Sequence, residues 1–233
     1  MDNMICVGSG SAGNAYILRT TAGTLLIEAG LPVATIKRSL NYKISDIAGC
    51  LISHSHGDHA KHAGSVAQLG IPVYVGSTHT ANEIGISCIC LPHDTASDIG
   101  EFKVLPFFVR HDVTCCGYLI YHADFRTLFF ATDLGGLRDR DMMFYGVNHV
   151  LIECNYQDGF LAANNAYPAA IKQRVRQYHL SLDGCVSILR NNISLKDVKT
   201  IGLIHLSREN TDKQDCLSRL IDAVPRTIKC DTY

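Results

Sequence analysis

The segment His54-Ser55-His56-Gly57-Asp58-His59 constrains most strongly what this chain can fold into. It follows directly on the apolar run Ala48–Ser53, and with His62 it places four of eleven histidines within nine residues. Residues two apart in an extended chain point to the same side, so His54 and His56 can grip one metal ion. Gly57 is expected to let the chain turn, so that Asp58 and His59 face a second ion beside the first. Neutral imidazole and carboxylate are ligands for Zn2+ or Mn2+. The plain alternative, a His-rich surface loop, gives no reason for the cluster to sit at the end of a core strand.

Two ions need more ligands than this segment supplies. Three candidates end apolar runs in the same way: His111 after Val104–Arg110, Asp133 after Leu128–Thr132, and His205 after Thr200–Ile204. Strand ends gathered at one edge would bring them to one point, and an aspartate among histidines suits a bridge between ions, which places Asp133 there. Asp112 and Glu153 are candidates for orienting ligand imidazoles. His62 is equally readable as support for the site or as an exposed helical residue. His79, His93, His122 and His149 lack partners in the sequence and read as structural or solvated. Tyr16, Tyr118 and Tyr156 read as core or rim.

The remainder of the chain is compatible with one domain over residues 1–233. Hydrophobic residues make up 47% and charged residues 18%, which supplies a core and excludes a disordered chain. No apolar run is long enough to span a membrane, and no secretory signal opens the chain, so a cytoplasmic setting is expected. Ten cysteines without a CxxC then read as small buried hydrophobes, with Cys88, Cys90, Cys115 and Cys116 left open. Net charge is −1, which demands no polyanionic partner, although residues 160–233 carry 11 Lys/Arg against 7 Asp/Glu.

Short β-rich runs are expected at Met4–Val7, Ala15–Arg19, Leu25–Ala29, Ala48–Ser53, Pro72–Val75, Ser87–Leu91, Phe102–Arg110, Gly117–His122, Leu128–Thr132, Val150–Cys154, Thr200–His205 and Thr227–Lys229. Helices are expected at Ala60–Leu69, Thr78–Ile84, Tyr167–Tyr178, Leu182–Arg190 and Lys213–Ala223. This order suggests stacked sheets with helices outside. Gly8-Ser9-Gly10-Ser11-Ala12-Gly13 matches a dinucleotide-binding GxGxxG, with Glu28 twenty residues beyond Gly8. That motif needs a helix at its third glycine, whereas Asn14–Thr20 reads as a strand. The loop is therefore expected to be a tight turn whose backbone passes close to something.

With these residues on the page, the sequence resembles the metallo-β-lactamase fold superfamily, and within it the YycJ (WalJ)-type exonuclease branch. The superfamily's HxHxDH stands here as His54–His59. The branch's features appear as Gly8–Asn14, His111-Asp112, Thr132–Gly135, Glu153-Cys154-Asn155, His179–Ser181 and His205–Ser207 continuing into Arg208-Glu209-Asn210. The resemblance runs from about residue 4 to about residue 215. It implies an α/β four-layer αββα sandwich with a dinuclear site at one edge. It assigns His54, His56 and His111 to one ion, Asp58, His59 and His205 to the other, and Asp133 to the bridge. The chain departs from the branch at Tyr178, Leu182 and Tyr156-Gln157-Asp158, around the implied substrate mouth. It has no room for the large insertion of ribonuclease J-type relatives.

Two divalent cations about 3.5–4 Å apart lower the pKa of a shared water and neutralise a phosphoryl oxygen. The expected activity is therefore that of a metal-dependent phosphodiesterase, a 5′→3′ DNA exonuclease using a metal-bridging hydroxide. Asp58 and His179 are the expected catalytic residues, His179 contacting the phosphate or protonating the leaving oxygen. Asn155, Ser181, Ser207 and Arg208 are candidates for holding the anion. The bland reading of His179 is a helix-terminal histidine bonded to a carbonyl. Rival functions are a cyclic-nucleotide or other small-nucleotide phosphodiesterase, a lactone or thioester hydrolase of the same fold, and a non-enzymatic metal-stabilised binding module. No membrane partner is expected, and a homo-oligomer stays open.

Overall fold

Strand alternation explains how this chain builds two stacked sheets. In the computed structural model, which describes residues 3–138 and 142–233, the first sheet holds β1 (Met4–Gly8), β2 (Ala15–Arg19), β3 (Thr24–Ile27), β4 (Ile47–Ile52), β5 (Val73–Val75) and β6 (Ile89–Cys90) in sequence order. The second holds β7 (Ser97–Ile99), β8 (Phe102–Val109), β9 (Cys115–His122), β10 (Arg126–Ala131), β11 (His149–Glu153), β12 (Thr200–Ile204) and β13 (Lys229–Thr232), likewise consecutive across the sheet. The helices are α1 (Val33–Ser39), α2 (Gly57–Ala60), α3 (Ala63–Ala67), α4 (Thr78–Ile84), α5 (Asp158–Ala163), α6 (Ala169–Tyr178), α7 (Leu182–Asn191) and α8 (Lys213–Ala223).

The inner strands are apolar on both faces, as strands covered on both sides must be. Tyr16, Leu18, Leu25 and Ile27 pack inward against Tyr118, Ile120, Leu128 and Phe130 of the second sheet. Their neighbours Ala15, Ile17 and Leu26 point outward to Ile36 of α1 and to Ala63 and Val66 of α3. On the far side, Phe129, Val150, Ile152, Ile201 and Leu203 meet Leu182, Cys185 and Leu189 of α7 and Cys216 and Leu220 of α8. Period-2 alternation thus yields four layers, αββα. Cys50, Cys115, Cys116, Cys154, Cys185 and Cys216 are buried in these cores.

Strand direction then gathers the chemistry at one edge. β3 and β4 are parallel. β8 and β10 both run antiparallel to β9, and β10, β11 and β12 are parallel. The C-terminal ends of β8, β10, β11 and β12 therefore emerge together. Glu28, Asp133 and His205, each just beyond a strand end, adopt left-handed backbone conformations at φ 66°, 48° and 56°. For non-glycine residues this costs on the order of 1–3 kcal/mol each and is concentrated at functional sites.

Several elements differ from expectation. The helix read over Ala60–Leu69 is two short helices, α2 and α3. The carbonyl of Asp58 accepts from the Asn14 backbone N–H at 2.7 Å, and His62 N–H turns to Ala29 O at 2.9 Å, so the helical ladder is broken between them. Gly57 supplies no special turn either: it opens α2, and its φ is not positive. α1, α5 and β7 carry little sequence signal. α1 begins after Pro32 with β-branched Val33, Thr35 and Ile36, and buries Ile36 alone.

The glycine that the site does require is Gly30, where an added Cβ would overlap the Asp58 carbonyl. Gly30→Ala is expected to destabilise the fold by about 3 kcal/mol, at the upper end for overpacking. Gly57→Ala, with open space around its Cβ, is expected to be neutral or slightly stabilising. Urea denaturation of both variants checks this, and equal stability of the two would contradict it.

Candidate metal centre

Seven of the ionisable residues singled out in the sequence meet at the gathered strand ends. His54, His56, His111 and Asp133 form one group in which one potential ligand atom from each lies within 4.8 Å of the others; Asp58, His59, Asp133 and His205 form a second on the same criterion. Asp133 is common to both. Its Oδ2 lies 3.1 Å from His59 Nε2, 3.4 Å from His54 Nε2 and 3.9 Å from His111 Nε2, while Oδ1 is 3.0 Å from His205 Nδ1.

Three of the imidazoles are oriented from behind. His54 Nδ1 meets Ser53 Oγ at 2.8 Å, His111 Nδ1 donates to Tyr178 O at 3.0 Å, and His59 Nδ1 faces Glu28 Oε2 at 3.5 Å. These contacts leave the Nε2 atoms turned toward Asp133, the arrangement by which proteins fix a ligand's tautomer. The Nε2 of His54 is fully buried, and its contact with Asp133 Oδ2 at 3.4 Å lacks hydrogen-bond geometry, so it has no hydrogen-bond partner among the described residues. A buried imidazole nitrogen without a partner is costly in the absence of an ion. The donor set of histidine nitrogens and carboxylate oxygens therefore fits divalent metal ions.

A third group joins Asp133 and His205 to Glu153 and His179. Glu153 is already committed as an acceptor. Its Oε2 takes the Leu134 and Leu180 backbone N–H groups, both at 2.9 Å, and its Oε1 lies 2.8 Å from His179 Nδ1 and 3.1 Å from His205 Nδ1. This is an orienting carboxylate, as the sequence suggested. Asp112 lies 3.0 Å from His111 Nε2 and 3.4 Å from His56 Nε2 through Oδ1, and its Oδ2 pairs with Arg174.

Electrostatics follow from this crowding. Burial pushes the His54 imidazole down to about 3 and lowers His111 as well. Burial also opposes charge on His59 and His205, but Asp133 outweighs it in both, helped by Glu28 at His59, and both are raised well above the usual histidine range. The same contacts overcome burial at Asp58 and Asp133 and hold both carboxyls well below the usual range. The carboxylates thus favour a proton on His59 and on His205, which a bound cation would have to displace.

Asn14 and Glu28 are the parts of the site that sequence reasoning missed. Asn14 Nδ2 lies 3.0 Å from His59 Nε2 and donates to Asp58 O at 3.2 Å, and its Oδ1 accepts from Gly10 N–H. The Gly8–Asn14 loop passes close to the site, with Ser9 Oγ accepting the His205 backbone N–H at 2.7 Å. Glu28 was visible only as part of the dinucleotide pattern, although it ends an apolar run just as Asp133 does.

Of the other expected residues, His179 ends α6 and is bonded to Glu153 rather than to a carbonyl. Asn155, Ser207 and His179 line the cleft over the cluster, a cavity of about 420 Å³. Ser181 instead caps α7, accepting Gly184 N–H at 3.1 Å, and exposed Arg208 lies outside the cleft lining. Half-buried His62 precedes α3. His79 pairs with Glu83, His93 stacks on Phe108, His122 packs on Phe102, and His149 meets Thr200. Tyr16, Tyr118 and Tyr156 are core.

Residues 8–85 match the Metallo-beta-lactamase superfamily. A Bacillus anthracis protein named exodeoxyribonuclease YycJ is 31% identical over 225 residues, an alignment covering 89% of this chain and 83% of that protein. The chain belongs to the metallo-β-lactamase superfamily. Exodeoxyribonuclease WalJ of Streptococcus pneumoniae is 28% identical over 225 residues, covering 89% of this chain and 82% of its own. The crystal structure of the metallo-β-lactamase fold protein YhfI from Bacillus subtilis superposes with a TM-score of 0.72 at 15% identity, over 99% of this chain and 95% of that one. The fold is that of the superfamily, and this metallo-β-lactamase-fold protein is a metal-dependent hydrolase.

Metal binding to this hydrolase must displace protons from His59 and His205. Both are raised, so their protons compete with metal from low pH up through the elevated values, and apparent metal affinity should rise with pH beyond about 6.5, the ordinary histidine value. Competition titration with a chromophoric chelator from pH 6 to 8.5 checks this; pH-independent affinity would contradict it.

Proposed function

We propose that this hydrolase is a metal-dependent phosphodiesterase that degrades DNA as a 5′→3′ exonuclease. The observation that carries the reading is the sharing of Asp133 by two His/Asp groups directly beneath a cleft that also holds His179 and Arg174. The proposed ligands are His54, His56, His111 and Asp133 for one Zn2+ or Mn2+, and Asp58, His59, His205 and Asp133 for the other. Two such ions activate water and neutralise charge on a phosphoryl group. The exodeoxyribonuclease names of the relatives support a nucleic-acid substrate, and the 5′→3′ polarity follows the branch that the sequence resembles.

The chain's own residues supply the rest. Asp58 is held ionised and reaches the cleft, so it can orient the attacking water by accepting a hydrogen bond from it. Glu153 accepts His179 Nδ1–H, leaving Nε2 as the nitrogen free for substrate. Burial disfavours charge on His179, but Glu153 outweighs it and raises the imidazole above its usual value. The protonated form of His179 is therefore favoured, and it can deliver the Nε2 proton to the leaving oxygen. That capacity is present below the raised value and lost as pH climbs through it. Asn155 and Ser207 face the same space and can bond to the phosphate.

Turnover of bis-p-nitrophenyl phosphate with added Zn2+ or Mn2+ should vanish in Asp133→Asn, a change that tolerates the left-handed backbone, and in Asp58→Ala. Labelled linear DNA compared with cyclic nucleotides tests the substrate: nucleotides released from the 5′ end support the proposal, and turnover of cyclic nucleotides alone overturns it. His179→Ala should lower kcat on DNA by about 10²–10⁴-fold. It should cost much less with bis-p-nitrophenyl phosphate, whose leaving group needs no proton. Equal losses on both substrates would contradict the acid role.

A further inference from the structure

Helix α6 carries a feature that neither the core nor the metal cluster explains. None of its ten residues is buried, yet it forms one wall of the catalytic cleft through Ile171, Arg174 and Val175, with Tyr167 just before it. Positions 171, 174 and 175 share one helical face. Ile171 stays 42% exposed, an apolar side chain facing the cleft rather than the core. The helix contains Lys172, Arg174 and Arg176 and no acidic residue. Lys172 donates to Ala162 O and Arg176 pairs with Asp158 outside the cleft lining, so Arg174 is the cation of this helix that the cleft receives. Its partner, Asp112, touches His111 and His56, which positions the guanidinium beside the proposed metal site.

We propose that this wall binds an unpaired nucleic-acid strand end, Arg174 taking a backbone phosphate while Tyr167 and Ile171 pack on a base. The proposal rests on the nuclease reading above and names the form in which the substrate is held. A guanidinium matches phosphate geometry. An aromatic side chain beside a cation is the means by which proteins hold single strands without reading sequence, because every base offers a π-face once it is unpaired. The cavity, about 420 Å³, lies toward the small end of ligand sites and suits a single nucleotide rather than a base pair. A paired end must therefore open before its terminal nucleotide enters. Asn155 and Ser207 add polar groups to the same lining and can meet the sugar and phosphate while Tyr167 and Ile171 take the base.

Fluorescence anisotropy tests this, using a labelled phosphorothioate single strand, which resists hydrolysis and keeps its charge, and metal-loaded full-length protein across a salt series. Arg174→Ala should weaken binding at least tenfold and reduce the slope of log Kd against log salt by about 0.7, the loss of one single-strand phosphate contact. Arg174→Lys should keep the slope. Tyr167→Ala should weaken binding about five- to a hundredfold with the slope unchanged, and Tyr167→Phe should retain affinity. The proposal is overturned if wild type fails to bind the strand, if the alanine variants bind as wild type does, or if their losses track lost metal measured in the same samples. A strand that binds as described while ordinary DNA is left uncut would overturn the nuclease reading and leave the wall's role standing.

Discussion

The carboxylate of Asp133 is the constraint around which the remaining structure is arranged. It is 2% exposed and stands among His54, His59, His111 and His205. A buried charge is tolerable only when paired or bound to metal. Its backbone is left-handed, as are those of Glu28 and His205, so three strand ends turn sharply toward the cluster instead of running on. The compensation is visible in Ser9 accepting the His205 N–H and Glu153 accepting the Leu134 N–H next to Asp133. A site held on strand ends and braced by buried hydrogen bonds is stiff, as catalytic placement requires.

Sheet packing and site assembly are the same event. Tyr118 crosses from the second sheet to donate its hydroxyl proton to Ile52 O, two residues before His54, and Cys116 N–H bonds Ser53 O. Tyr16, packed on Phe130 in the inter-sheet core, places its hydroxyl 2.8 Å from Ser9 Oγ. Buried tyrosines of this kind spend their rings on the core and their hydroxyls on a polar partner. Apolar burial between the sheets therefore fixes the distance between the His54–His59 segment and the later strand ends.

What the sequence reveals follows how local each signal is. Period-2 apolar runs gave most strands of both sheets, and the expected bounds of α4 and α8 agree with the structure, where Ser77, Gly85 and Asp212 cap them. The site residues that end apolar runs, His111, Asp133 and His205, were legible for the same reason. The break between α2 and α3 was not, because it is caused by Asn14, forty-four residues upstream, claiming the Asp58 carbonyl. Glu28 was masked by a glycine pattern suggesting another chemistry, and Arg174 and Tyr167 were hidden because only tertiary placement turns α6 toward the cleft. Ser181 read as an anion contact, whereas the structure uses its hydroxyl as a helix cap.

The central claim is that Asp133 lies between two metal ions, and anomalous diffraction from crystals grown with Zn2+ or Mn2+ tests it most directly. The account predicts two peaks per chain on either side of the Asp133 carboxylate, one against His54, His56 and His111 and the other against Asp58, His59 and His205. A lone peak, or one lodged between Glu153 and His179, would contradict it.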